Sequence, residues 1–143
     1  MLIKQISVFL ENKSGRLAEV TKVLGDNNID ISALSIADTT DFGILRLIVN
    51  NPQKAEQVLK ENEFTVSSTS VIAIAVPDKP GGLSKALGVL NELSIGIEYM
   101  YAFVGKSDNE ALVIIRVENP EKAVEVLMNN NIDVLPSEKV YKL

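Results

Sequence analysis

The first residues alternate between apolar and polar. Across Ile3–Leu10, Ile6, Val8 and Leu10 fall on one face and Gln5, Ser7 and Phe9 on the other, the period-two pattern of a strand with one face committed to a core. After Glu11–Ser14 and a glycine the period changes. Leu17, Val20, Thr21 and Leu24 stand at i, i+3, i+4 and i+7, which predicts an amphipathic helix ending near Asn27-Asn28. Ile31–Ala37 and Gly43–Val49 read as strands, with a turn over Asp38–Asp41 between them. Asn51 suits a helix N-cap, and Pro52 suits the first helical position, where its missing N–H costs nothing. Ala55, Val58 and Leu59 give that second helix its buried stripe, and Thr65 opens a closing strand.

The same pattern then runs a second time. Residues 12–17 read NKSGRL and residues 78–83 read DKPGGL, each after an alternating run and before a helical stripe. Ile72, Ile74 and Val76 stand for Ile6, Val8 and Leu10, and Leu83, Ala86, Leu87 and Leu90 for the first helix. Ile97–Val104 and Ala111–Val117 are the expected middle strands, Asn119-Pro120 opens the second helix with Ala123, Val126 and Leu127, and Val134–Leu143 is the expected last strand. Gly81 follows Gly15 by 66 positions and Pro120 follows Pro52 by 68, so the copies align with one two-residue insertion near Lys106–Glu110. Two domains follow, 1–70 and 71–143. Each is βαββαβ, and right-handed crossovers fold that order into a four-stranded antiparallel sheet with both helices on one face. The expected class is α+β, a pair of ferredoxin-like sandwiches. The other sheet face of the second copy should carry Val71, Ala73 and Ala75 beside Tyr99, Tyr101 and Phe103. Such an apolar face calls for cover from the other repeat or a second subunit, and its aromatic row can also wall a ligand pocket.

Size and composition narrow the function. Half of 143 residues buries a small core, worth roughly 3–5 kcal/mol alone, so the halves should pack on each other or on a second chain. A net charge of −5 argues against a nucleic-acid partner, whose phosphates demand clustered Lys and Arg. The chain has no Cys and no His. That removes disulfides, thiolate metal sites, a cysteine nucleophile, a Ser-His-Asp arrangement and most transition-metal sites. No metal and no cofactor are expected. The N-terminal MLIKQISVFLEN has polar residues at alternate positions and does not read as a signal peptide. No run approaches the ~18 apolar residues of a membrane span. A cytoplasmic protein with no membrane partner is the expectation.

Fold alone does not choose among βαββαβ families. RNA-recognition domains need aromatics on two central strands and a basic surface. Here Tyr99, Tyr101 and Phe103 share one strand, their counterparts Ala33, Ser35 and Ala37 are small, and the chain is acidic. Metal-chaperone domains of this topology need paired cysteines. Acylphosphatase-like catalysis wants an Arg in the first loop, which Arg16 satisfies in one copy only, since Gly82 stands in the other. The pattern Asn/Asp-x-x-Gly-x-Leu after the first strand, with a helix closing on Asn-Ile-Asp-Ile (28–31) or Ser-Ile-Gly-Ile (94–97), resembles the ACT domain over the whole chain, twice. Pro80-Gly81 is the family's usual Pro-Gly, while Ser14 stands where that proline is common in copy one. ACT domains are small amino-acid-sensing modules attached to many metabolic enzymes.

The resemblance implies a ligand held between two such units. It places the loop position on Asn12 and Asp78, the loop glycine on Gly15 and Gly81, and the apolar anchor on Leu17 and Leu83. The polar position ahead of the second strand falls on Asp30 in copy one but on Gly96 in copy two, so the two sites need not bind alike. Ser14, Arg16 and Ile31 complete the first implied site, and Pro80, Gly82 and Ile97 the second. The chemistry also stands without the family. A glycine bend lets a ligand approach the backbone, and the first N–H groups of a helix attract a carboxylate. Acceptors around Asn12 or Asp78 suit an α-amino group. The structural alternatives are that Asn12 and Asp78 cap helices, Asp30 serves a turn, Leu17 and Leu83 are core, and Arg46 and Arg116 are solvated or interface residues. The functional expectation is an amino-acid sensor, not an enzyme, acting in trans on a metabolic enzyme and pairing as a homodimer. The competing one is a regulatory or structural subunit that docks an enzyme through the open sheet face with no small ligand.

Overall fold

The computed structural model describes residues 1–11, 13–38, 41–105 and 109–143. They make two compact units, Lys4–Thr69 with Leu143, and Ser70–Lys142 with Met1–Ile3. The N-terminal unit runs β1 (Ile3–Glu11), α1 (Arg16–Asp26), β2 (Ile31–Asp38), β3 (Phe42–Val49), α2 (Pro52–Glu61) and the start of β4 (Thr65–Pro77). Its strand order is β2-β3-β1-β4. Antiparallel neighbours directly opposite each other point to the same face. Ile6 opposite Leu47 and Val8 opposite Leu45 therefore reach the helices together. There they bury against Val20 and Leu24 of α1 and Ala55, Val58 and Leu59 of α2.

The C-terminal unit repeats the plan. It continues from β4 through α3 (Gly82–Glu92), β5 (Ile97–Ala102), β6 (Glu110–Val117), α4 (Pro120–Asn129), β7 (Asp133–Val134) and α5 (Ser137–Val140). β4 pairs with β6 on one side and β7 on the other, and β5 lies beyond β6. Ile72 opposite Ile115 and Ile74 opposite Val113 reproduce the core of the first unit. The antiparallel ferredoxin-like class is as expected.

Caps repeat as faithfully as strands. Asn51 Oδ1 accepts from the Lys54 N–H at 3.2 Å and Asn119 Oδ1 from the Lys122 N–H at 3.3 Å. Each of the four long helices is followed by a residue at positive φ, namely Asn28, Glu63, Ser94 and Asn131. The next N–H then reaches back to the last turn, as Ile29 to Leu24 O at 2.9 Å and Ile132 to Leu127 O at 3.0 Å. That closure satisfies carbonyls the helix would otherwise leave unpaired.

The sheet face away from the helices is buried in part. Ala73, Ile114 and Tyr101 stand abreast in the C-terminal unit, with Ala73 and Ile114 fully covered and Tyr101 half-buried. On the N-terminal face Gln5 and Ser7 are buried, and Gln5 Nε2 donates to Ser7 Oγ at 3.3 Å.

Three expectations change. The last strand does not run over Val134–Leu143: β7 ends at Val134, the Leu135 N–H donates to Ala73 O at 2.8 Å, and Pro136, with no N–H to give, turns the chain into α5. β5 stops at Ala102, although the Phe103 N–H still donates to Leu112 O at 3.0 Å. Leu17, expected in the core, is 43% exposed, whereas Leu83 packs partly into its own core. The Asp38–Asp41 turn and the Lys106–Glu110 insertion fall partly outside the described residues. Among the described residues no helix is long and apolar enough to cross a membrane.

Candidate functional site

At the end of β4 the chain bends through three tight hydrogen bonds. The Asp78 N–H donates to Asn109 O at 2.9 Å, Lys79 N–H to Pro77 O at 2.9 Å, and Gly82 N–H to Lys79 O at 3.0 Å. Gly81, at φ 86°, reverses the backbone and serves as N-cap of α3 without any side-chain cap. The following amides of Leu83 and Ser84 are thus uncapped donors at the positive end of a helix dipole. Glycine is needed at Gly81 for its φ and at Gly82 for space, because a Cβ there would lie 2.1 Å from Pro77 O.

Cavities lie on both sides of this bend. One, of about 410 Å³, has Pro80, Gly81 and Gly82 in one wall, Lys79, Lys85, Glu110, Asn131 and Asp133 around it, and the buried Ala75, Val76 and Ile132 as its apolar part. The other, of about 300 Å³, is lined by Asp78, Leu83, Met100, Tyr101, Ala111 and Val113 among others. Either exceeds the bulk of a small amino acid, and both fall at the small end of ligand sites.

The N-terminal bend has the same backbone and a different filling. Gly15, at φ 90°, caps α1 with no side-chain hydrogen bond. Beside it the Arg16 guanidinium lies 4.5 Å over the Phe64 ring, and its Nη1 donates to Glu19 Oε2 at 2.8 Å. Arg16 Nε is buried and has no hydrogen-bond partner among the described residues. Lys13 Nζ meets Glu11 Oε2 at 2.9 Å, and this contact holds the Glu11 carboxyl below the usual glutamate range.

A family model for an ACT domain pair matches residues 1–143. The chain belongs to the ACT domain family. A Bacteroides thetaiotaomicron protein of known crystal structure is 50% identical to this ACT pair, with a TM-score of 0.94 over 100% of this chain and 98% of that one. The ligand-free regulatory subunit of aspartate kinase from Thermus thermophilus shares the fold, with a TM-score of 0.64 at 17% identity over 90% of this chain and 93% of that chain. Its counterpart from Thermus flavus gives 0.60 at 15% identity over 88% and 90%. No curated protein sequence matches the chain significantly.

Within each ACT module the expected residues separate into two groups. Ser14, Gly15, Arg16 and Leu17 gather at the head of α1, and Asp78, Pro80, Gly81, Gly82 and Leu83 at the head of α3. Asn12 lies outside the described residues. Asp30 and Ile31, like Gly96 and Ile97, follow the far ends of those helices, which have 11 residues each and so span roughly 16 Å. One module therefore does not bring both groups onto one small ligand. Asp30 lines a separate hollow of about 250 Å³ with Asn28 and Asn50, its N–H donating to Asn50 Oδ1 at 3.0 Å. Gly96 is exposed, and Ile31 and Ile97 pack into their cores. Arg116 is held inside the protein's own structure, its Nη1 donating to Ser70 O at 2.9 Å and its Nε 3.5 Å from Glu98. Arg46 stands on β3 opposite Ser7 and Ser35.

Sequence reasoning missed Lys79, Lys85, Glu110, Asn131 and Asp133, all beside the larger cavity. A signal was available. Glu19 in the first copy becomes Lys85 in the second, while Lys13 and Lys79 are kept. Among the described residues no cluster of His, Cys, Asp or Glu has the makings of a metal site.

Proposed function

We propose that this ACT pair is a regulatory protein that binds a free amino acid at a glycine bend and acts in trans on a metabolic enzyme. Its modules, on this reading, are residues 1–70 and 71–143, it works in the cytoplasm, and two chains pair as a homodimer. One observation carries the proposal: the uncapped head of α3 opens beside cavities that also hold lysines and carboxylates. A carboxylate at such a helix head gains about 0.3–1 kcal/mol from the dipole, and ~2 kcal/mol when partly buried. The acidic side chains nearby suit an ammonium group. The expected affinity is micromolar to millimolar, about −8 to −4 kcal/mol, as fits a ligand of so few atoms. The separation of Asp30 and Gly96 from the bends supports the family arrangement, in which a neighbouring module completes the site. The likeness in fold to regulatory subunits supports a regulatory role over a catalytic one.

A thermal-shift screen of the twenty amino acids tests the proposal. At 100 times its dissociation constant a ligand adds ~2.7 kcal/mol of stability, an easily read rise in melting temperature. A flat response to all twenty at millimolar concentration would reject amino-acid binding and favour a subunit that docks its enzyme without a small ligand.

A further inference from the structure

The duplication supplies an internal control. Arg16 and Gly82 are counterparts, as are Glu19 and Lys85, and Phe64 and Ile132 correspond across the two-residue insertion. In the first module the Arg16 guanidinium stacks on Phe64 and binds Glu19. In the second, the corresponding three positions, Gly82, Lys85 and Ile132, all line the cavity of about 410 Å³. Where the first module lays a guanidinium, the second has only a glycine hydrogen, and the carboxylate that bound the guanidinium has become a lysine. Pro77 O would stand 2.1 Å from any Cβ at Gly82, so the second module is barred from refilling the space in the same way.

We propose that the chamber beneath Gly82 is the amino-acid site of this chain, one per chain, and that Arg16 plugs its counterpart in the N-terminal module. The inference rests on the amino-acid-binding reading above and adds to it which bend binds and what side chain it takes. Lys79 and Lys85 are exposed at the chamber and receive the carboxylate. Glu110 and Asp133 receive the ammonium group. Val76 and Ile132 are buried and apolar, so the side chain that reaches them is aliphatic. Asp30 against Gly96 makes the two sites unlike without choosing between them, and the chamber favours the second. Arg16 is no rival anchor. Its Nε is covered by protein, and its Nη1 already holds Glu19.

The test uses the full chain and each of the twenty L-amino acids in turn. Thermal shift picks the strongest responder, and equilibrium dialysis with that amino acid, radiolabelled, counts sites in the natural chain, in the Lys85→Glu variant, and in the Arg16→Gly and Arg16→Ala variants each combined with Glu19→Lys. The Glu19→Lys change removes the like charge the first module would set against a carboxylate. The alanine variant keeps the helix start intact should glycine unsettle it. Aliphatic amino acids should respond, with one site per natural chain and two once Arg16 is removed and Glu19 is replaced by lysine. Lys85→Glu should weaken binding by about tenfold or more, since it sets like charge against the carboxylate. Two sites in the natural chain, one site persisting without Arg16, loss of binding on removing Arg16, or indifference to Lys85→Glu would each overturn the plug and chamber while leaving amino-acid binding in place. A response confined to acidic, basic or aromatic amino acids would overturn the assigned class. Silence from all twenty would bring down the underlying reading as well.

Discussion

Two adjacent glycines at the head of α3 are required for different reasons, and substitution separates them. A Cβ added at Gly81 would meet nothing within 4 Å, so Gly81→Ala costs only the left-handed backbone, about 1–2 kcal/mol. Gly82→Ala drives a methyl group into the Pro77 carbonyl and forces backbone to move, at a cost of about 3 kcal/mol. Urea denaturation with an unchanged slope should rank Gly82→Ala as the more damaging, and the opposite order would refute the steric account. The first of these requirements was legible in the sequence, since a glycine between strand and helix announces a bend. The second was not, because it depends on where Pro77 O points. Titration of Glu11 is a further check at this scale. Lys13 lowers its folded-state value, so the contact supports the fold above the ordinary glutamate range and is lost as pH falls through the lowered value. Lys13→Met should move the Glu11 titration, followed by NMR, back up toward the ordinary range. An unmoved midpoint would mean that Lys13 is not the cause.

Elements were legible wherever hydrophobic period and cap chemistry agreed. α2 and α4 are the clearest cases, because Asn-Pro fixes their starts and Ala, Val and Leu at matching positions fix their buried faces. Their caps should prove energetically real. Asn51→Ala and Asn119→Ala should each destabilise by about 1 kcal/mol through loss of the hydrogen bond to an otherwise unpaired amide, whereas aspartate at either position should be tolerated. Thermal or urea unfolding of the four variants decides it, and equal stability of alanine and aspartate would show the caps to be incidental. The missed ending of the chain has a physical cause. Val134 and Leu135 carry strand-like residues, but Pro136 cannot supply the next rung, and Ser-Glu-Lys-Val beyond it coils into a short helix whose Val140 is buried.

For the whole molecule, duplication made the fold readable and concealed the difference between the copies. Shared glycines and Asn-Pro pairs say what both modules do, while Arg16 against Gly82 and Glu19 against Lys85 say where they part, and such pairs acquire meaning only once a structure shows Phe64 and Ile132 beneath them. The edges differ too. β2 is an edge strand whose residues 31–37, ISALSIA, carry no charge or proline to discourage pairing, and Leu34 and Ile36 on it are 41% and 53% exposed. β5, an edge strand of the second unit, carries Glu98 near Arg116. Unpaired backbone groups beside exposed aliphatic side chains favour joining to a like strand, so the proposed homodimer should form along β2. Ile36→Lys should then shift the chain toward monomer in sedimentation equilibrium, and Met100→Lys on β5 should leave the dimer intact. A natural chain that sediments as a monomer at tens of micromolar would rule the dimer out. A dimer broken by Met100→Lys and indifferent to Ile36→Lys would move the contact to β5, and with it the place where a neighbouring module could close the chamber.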